Sequence, residues 1–293
     1  MTTEERNTRS ERIDFLDTVE LLRLVNDEDQ SVAAAVGVQL PQIARSVGLA
    51  ADVIRSGGRV FYVGAGTSGR IALLDAVECP ATFNSPPEWF QAVLAGGEAA
   101  AAHAAEGAED DTGQAAADLV RRGLEPRDLV CGIAASGRTP FTLGGMQYAR
   151  SIGARTIALV SAPASPMAGI ADVAIVVLVG PEVLTGSTRM KAGTAQKMVL
   201  NMFSTATMIR LGMTYGNWMI NVGMTNGKLR GRGLRMIQSI LSVSEDEARL
   251  LVERSGGDLK AAVVMGRTHC SRREAEDRLS EAQGDLRRAL GER

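Results

Sequence analysis

The sequence predicts an α/β protein: a three-layer αβα sandwich on a mostly parallel five-stranded sheet, preceded by helices and followed by a small helical bundle. Three observations carry this. Apolar runs at Val60–Val63, Phe90–Leu94, Leu129–Ala134, Thr156–Val160 and Val173–Val179 are short, rich in valine and isoleucine, and do not alternate. Strands buried on both faces read that way. Helical patterns near 69–78, 98–106, 112–122, 140–152 and 165–171 fill the gaps, and a β-α alternation implies parallel strands joined by right-handed crossovers. The first strand runs into Gly64-Ala-Gly-Thr-Ser-Gly69, a loop that aims free amides and a helix dipole at one point, as an anion requires.

Taken in order, residues up to about 17 are polar and expected to be extended. A helix should run from Thr18 to Val25, Asn26-Asp-Glu-Asp29 should punctuate it, and an amphipathic helix should follow from Ser31 to Ser56. Its apolar residues Val32, Val36, Leu40, Ile43, Val47, Ala50 and Ile54 recur at steps of three or four, the spacing of one helix face. After the sheet, Thr188 to Leu211 reads as a long helix, apolar nearly all round, for the core or a subunit interface. The last fifty residues repeat themselves: Ser244-Glu-Asp-Glu-Ala248 matches Ser271-Arg-Arg-Glu-Ala275, and Gly257-Asp-Leu-Lys260 matches Gly284-Asp-Leu-Arg287. Each copy opens with a capping box and restarts after glycine on an aspartate N-cap. The implied divisions are 1–53, 54–217 and 218–293.

Composition excludes several functions. Among 293 residues the net charge is −2 and no basic run interleaves with aromatics, so nucleic acid is not an expected partner. No apolar run is long enough to cross a bilayer, and the N-terminus has no signal-peptide core. Three widely spaced cysteines, Cys79, Cys131 and Cys270, suit reduced thiols in a cytoplasm. Two histidines, His103 and His269, leave little for a metal site. No metal and no cofactor are expected.

The glycine loop fits the dinucleotide-binding spacing, but that reading needs an acidic residue at the tip of the second strand. Ala95-Gly-Gly97 stands there instead, which favours a monophosphate. Two further hydroxyl-rich loops follow later strands: Ala135-Ser-Gly-Arg-Thr139 and Thr185-Gly-Ser-Thr188. Thr67, Ser68, Ser136, Thr139, Ser187 and Thr188 are thus the candidate phosphate ligands. Taken singly, Thr139 and Thr188 also read as helix N-caps. Two carboxylates are candidates for acid–base chemistry. Glu78, ahead of Cys79-Pro80, reads as the last turn of a helix, where the dipole disfavours its charge; taken alone, an exposed glutamate in that last turn is the preferred reading. Glu109 reads as a carboxylate just ahead of a helix, where the dipole would favour it. His103 reads as a packing residue or a supporting hydrogen-bond partner.

Together, Gly64-Ala-Gly-Thr-Ser-Gly-Arg70, Glu78-Cys-Pro80, Glu106-Gly-Ala-Glu-Asp110, Gly132-Ile-Ala-Ala-Ser-Gly-Arg-Thr-Pro140 and Thr185-Gly-Ser-Thr-Arg-Met-Lys-Ala-Gly-Thr-Ala-Gln-Lys197 resemble the N-acetylmuramic acid 6-phosphate etherases, which are sugar-isomerase (SIS) type phosphosugar-binding proteins. The resemblance extends to Arg6-Asn-Thr8, Asn26-Asp-Glu-Asp29 and the C-terminal repeat. It implies a SIS-type fold and a cytoplasmic homodimer. It also implies a phosphosugar substrate, cleavage of a D-lactyl ether without metal during cell-wall recycling, and Glu78 and Glu109 as the catalytic pair. A non-catalytic phosphosugar sensor and an aldose–ketose phosphosugar isomerase stand as the alternatives.

Overall fold

The computed structural model describes residues 3–103, 105, 107–224 and 226–292. It divides into two compact units: Met1–Val77 with Pro87–Ser204, and Glu78–Pro86 with Thr205–Arg293.

The first unit is built on five parallel strands: β1 (Val60–Gly64), β2 (Phe90–Leu94), β3 (Leu129–Ile133), β4 (Arg155–Val160) and β5 (Val173–Val176), in the order β2-β1-β3-β4-β5. The helices of the chain are α1 (Thr18–Val38), α2 (Leu40–Arg55), α3 (Gly66–Phe83), α4 (Gln114–Arg121), α5 (Pro140–Ser151), α6 (Pro166–Ile170), α7 (Lys191–Arg210), α8 (Gly227–Leu241), α9 (Glu245–Arg254), α10 (Leu259–Thr268), α11 (Arg272–Glu281) and α12 (Leu286–Ala289). Pleating sends alternate residues to opposite faces. Phe61, Val63, Val130, Ala158 and Val160 join Leu119, Phe141, Met146 and Met167 of α4–α6 in one core cluster. Tyr62 instead packs with Phe90 and with Phe203 of α7, ring centroids 5.7 and 6.2 Å away. Helices therefore cover both faces, and the strands need no polar side.

The alternation is as the sequence predicts, with corrections at particular elements. The helix break lies not at Asn26–Asp29 but at Gln39, ahead of Pro41 in the first turn of α2. Proline has no N–H to continue a helix, whereas Glu28 is held inside α1 by buried partners. The first seventeen residues are not simply extended: two 3-10 turns, Thr8–Ser10 and Ile13–Phe15, occur there, the first capped by the Asn7 side chain on Arg9 N–H. The segment read as a helix over 98–106 contains only a 3-10 turn, Glu98–Ala101; residues 104 and 106 lie outside the described ones. Gly96, Gly97 and Gly107, all at positive φ, bound that segment. Helix α7, expected to be buried in the core or a subunit interface, leaves Met202 and Ile209 exposed on this chain.

In the second unit, α8–α12 bury Ile237, Ile240, Leu259, Val263, Val264, Leu279 and Leu286 in one cluster. Both predicted capping boxes form, Ser244 with Glu247 and Ser271 with Glu274. Asp258 and Asp285 cap the second helix of each copy.

Candidate active site

The sheet's carboxyl edge gathers the hydroxyl loops. The β1–α3 turn depends on how closely helix and strand approach. A Cβ on Gly69 would come within 2.1 Å of Leu94 Cδ1 and 2.7 Å of the Gly64 carbonyl. Gly66, at φ +52°, starts the helix with open space above it. The first bond that closes α3 runs from Gly69 N–H to the Ala65 carbonyl at 3.1 Å. The amides ahead of it, and the positive end of the helix, face outward from the turn that carries Thr67 and Ser68.

Parallel pairing aligns Gly64 with Ile133, so the loop after β3 starts beside the loop after β1. Gly137 (φ +61°) makes its sharp turn, and Ser136 Oγ accepts the Arg138 amide at 3.2 Å. Thr139 precedes α5, yet its side chain makes no cap bond. The cap reading of Thr139 is thus not realised. Nor does Thr188 cap α7. That task belongs to the buried Glu182, whose carboxylate accepts the Lys191 and Ala192 amides, both at 2.9 Å. Burial raises the Glu182 carboxyl, and those amides and the Lys191 charge work against the rise. The Thr188 carbonyl and Thr67 Cγ2 lie 3.4 and 3.5 Å from where a Cβ on Gly193 would stand. The first turn of α7, just after the third loop, therefore stands beside Thr67 of the first. Glu182 was missed in the sequence because nothing in Pro181-Glu-Val marks a cap nine residues before its helix.

Glu109 sits in a 3-10 turn, Ala108–Asp110, behind Gly107 in the left-handed region. It is not the first-turn carboxylate of α4. Asp111 does that work, accepting the Gly113 and Gln114 amides at 2.9 and 3.0 Å. Glu109 instead lines a cavity of about 190 Å³ together with Ala65, Gly66, Arg70, Ala95 and Ala100. One carboxylate and the glycine-loop helix start thus share one cavity. Among its lining residues Thr67, Ser68, Glu78, Ser136, Thr139, Ser187 and Thr188 do not appear.

Glu78 is exposed on α3, which continues through Pro80 to Phe83. The expectation that Glu78 ends a helix is corrected, and with it the dipole argument for its acidity. His103 is exposed as well, and its carbonyl, not its imidazole, enters a hydrogen bond, accepting from Arg70. Among the described residues no group of three or more His, Cys, Asp or Glu is placed to hold a metal, and no helix is long and apolar enough to cross a membrane.

The parallel sheet with hydroxyl loops at its carboxyl edge is a SIS-type phosphosugar-binding architecture. Residues 111–206 match the SIS domain and 42–150 the glucokinase regulatory protein N-terminal SIS domain. A solved Escherichia coli protein superposes with a TM-score of 0.51 at 19% identity, over 69% of this chain and 97% of its own; this likeness concerns the fold. The N-acetylmuramic acid 6-phosphate etherase of Geobacillus thermodenitrificans is 48% identical over 99% of this chain and 98% of its own. That of Mycolicibacterium smegmatis is 50% identical over 99% and 97%. The chain belongs to the N-acetylmuramic acid 6-phosphate etherase family.

Proposed function

We propose that the protein cleaves the D-lactyl ether at C3 of N-acetylmuramic acid 6-phosphate, giving N-acetylglucosamine 6-phosphate and D-lactate, by elimination followed by hydration. Near-full-length identity to named etherases supports the substrate and the reaction. The observation that carries the chemistry is the cavity shared by Glu109 and the start of α3.

The open-chain sugar has an aldehyde at C1, which acidifies the C2 proton. Glu109 acts as the base that removes it. As the C2–C3 double bond forms, the C3–O bond breaks and the lactate oxygen takes a proton from Glu78. Water then adds at C3 of the unsaturated aldehyde and C2 regains a proton. The elimination needs one carboxylate to take the C2 proton and one carboxylic acid to give a proton to the leaving oxygen. The 6-phosphate anchors the other end of the substrate through Ser68, Ser136 and Thr139, with Thr67, Ser187 and Thr188 behind them. Uncharged hydroxyls hold a dianion when backbone amides and a helix start assist.

We also read the working form as a cytoplasmic homodimer. Leu74 and Val77, on α3, are 46% and 57% exposed, and pairing of two copies through that side would remove them from water. Assay of D-lactate release from N-acetylmuramic acid 6-phosphate tests the reading. Release identifies the etherase. No lactate, with conversion of a 2-hydroxy aldose phosphate to its ketose, marks an isomerase, and tight phosphosugar binding without turnover marks a sensor. Glu78→Gln at undiminished turnover would remove that residue from the acid role.

A further inference from the structure

The segment that delivers Glu109 has almost no regular structure to hold it. Between β2 and Asp111 it has two 3-10 turns of four and three residues. Beyond Ala95, whose N–H donates to the Gly64 carbonyl, the backbone bonds of its described residues are local: Gly97 N–H to Leu94, Ala100 N–H to Gly97, Ala102 and His103 N–H to Ala99, Ala108 N–H to Ala105, and Asp110 N–H to Gly107. Small residues fold it on itself, since a Cβ on Gly96 would stand 2.5 Å from Ala105 Cβ and 3.1 Å from Ala100 Cβ. Carbonyls in such a segment need donors from elsewhere.

Arg70 provides them. From the first turns of α3, its Nε donates to the Ala100 carbonyl at 3.1 Å and the Ala101 carbonyl at 3.3 Å. Its Nη2 donates to the His103 carbonyl at 2.9 Å. The same side chain lines the cavity beside Glu109. We propose that Arg70 is a positioning residue: its guanidinium ties the 98–103 backbone to the helix that begins the phosphate loop, and so sets the distance between the Glu109 carboxylate and a substrate anchored at that helix. The proposal rests on the reading of Glu109 as the C2 base. A guanidinium suits the task because its planar fork of donors reaches several acceptors in fixed directions, which one ammonium cannot do.

The experiment compares wild type, Arg70→Ala and Arg70→Lys as full-length proteins, with D-lactate release and amide hydrogen exchange as separate readouts. In Arg70→Ala, kcat is expected to fall by about 30-fold or more with KM changed less than about threefold, since a misplacement of about 1 Å costs on the order of a hundredfold. Amides of residues 98–110 should exchange faster while those of β1 and β3 keep their protection. Added guanidinium chloride at low millimolar concentration should restore part of the rate to Arg70→Ala but not to wild type, and Arg70→Lys should remain slow. Unchanged exchange over 98–110 would overturn the proposal whatever the activity. So would a raised KM with kcat preserved, which would make Arg70 a direct ligand of the substrate. If wild type itself releases no lactate while exchange responds as described, the tie stands and the etherase reading falls. Should Arg70→Ala not fold, the same exchange and kcat comparison on Arg70→Lys decides the matter.

Discussion

The Lys191 ammonium lies 2.6 Å from a Glu28 carboxylate oxygen, and both residues are nearly closed to water at 2% and 7% exposure. Asn7 and Arg9 donate to the same carboxylate at 3.0 and 2.7 Å. Three stretches that are distant in sequence meet there: the N-terminal residues, α1 and the start of α7, three residues beyond Thr188. Burial acts to raise the Glu28 carboxyl, but Lys191, Asn7 and Arg9 together outweigh it and hold it below its usual range. Its stabilising contribution is then present above pH 4.5 and lost as pH falls through the lowered value. Glu28→Ala leaves a buried ammonium unpaired and is expected to cost about 3–5 kcal/mol in urea unfolding. Adding Lys191→Met to it should recover much of that loss; a double variant as unstable as the sum of the two singles would contradict the pairing.

Asp75 carries the opposite sign. Buried between β1 and α7, it accepts from Tyr62 Oη at 2.8 Å and Ser204 Oγ at 3.0 Å. Asn201, with its amide turned to donate to Asp75 at 3.2 Å, accepts from Lys197 at 2.8 Å. Burial pushes the Asp75 carboxyl from 3.8 up to about 6, against the pull of Tyr62, Ser204 and Lys197. Between those values the folded state holds a proton that the unfolded chain has lost, so this group makes stability fall as pH rises through the window. Asp75→Asn removes that slope. Its stability relative to wild type should therefore climb between pH 4 and 6, by at most about 3 kcal/mol, and then level off. Parallel pH profiles for the two proteins would refute the assignment.

Gly69 has no room for a methyl group, because Leu94 and the Gly64 carbonyl already occupy the place. Gly69→Ala should push α3 off the sheet, cost about 1–3 kcal/mol in overpacking and weaken phosphosugar binding. Gly66→Ala meets no neighbour and is penalised only by its φ of +52°, so its cost should be about 1–2 kcal/mol. Thermal melts of the two variants separate the two causes.

Ser68→Ala and Ser136→Ala should weaken binding of the 6-phosphate sugar more than that of the unphosphorylated sugar, by about tenfold or more for the former, as lost hydrogen bonds to a charged group are. Calorimetry with both sugars is the check. Equal weakening would place these hydroxyls away from the phosphate.

The sheet was legible because its strands are buried on both faces and their valine-rich runs stand out between helices. The C-terminal caps were legible too, since Ser244, Asp258, Ser271 and Asp285 act on amides within three residues of themselves. What escaped was settled at a distance. Glu28 looked like part of a helix-breaking polar run until Lys191 was brought to it, and Glu182 showed no local sign of capping α7. Pro80 marked a stop at Glu78, yet α3 carries on past it. The carboxylate at position 109 was singled out by motif, but that it shares a cavity with Gly66, Gly107 and Arg70 is something spacing alone does not express.

The most direct measurement is to run the reaction in deuterium oxide and read C2 of the product by NMR. Removal of the C2 proton by a carboxylate in an open cavity, followed by reprotonation from solvent, should give N-acetylglucosamine 6-phosphate with deuterium at C2 for each D-lactate released. Lactate release with the original proton still at C2 would mean that the ether is cleaved without a C2 base, and the role given to Glu109 would be wrong.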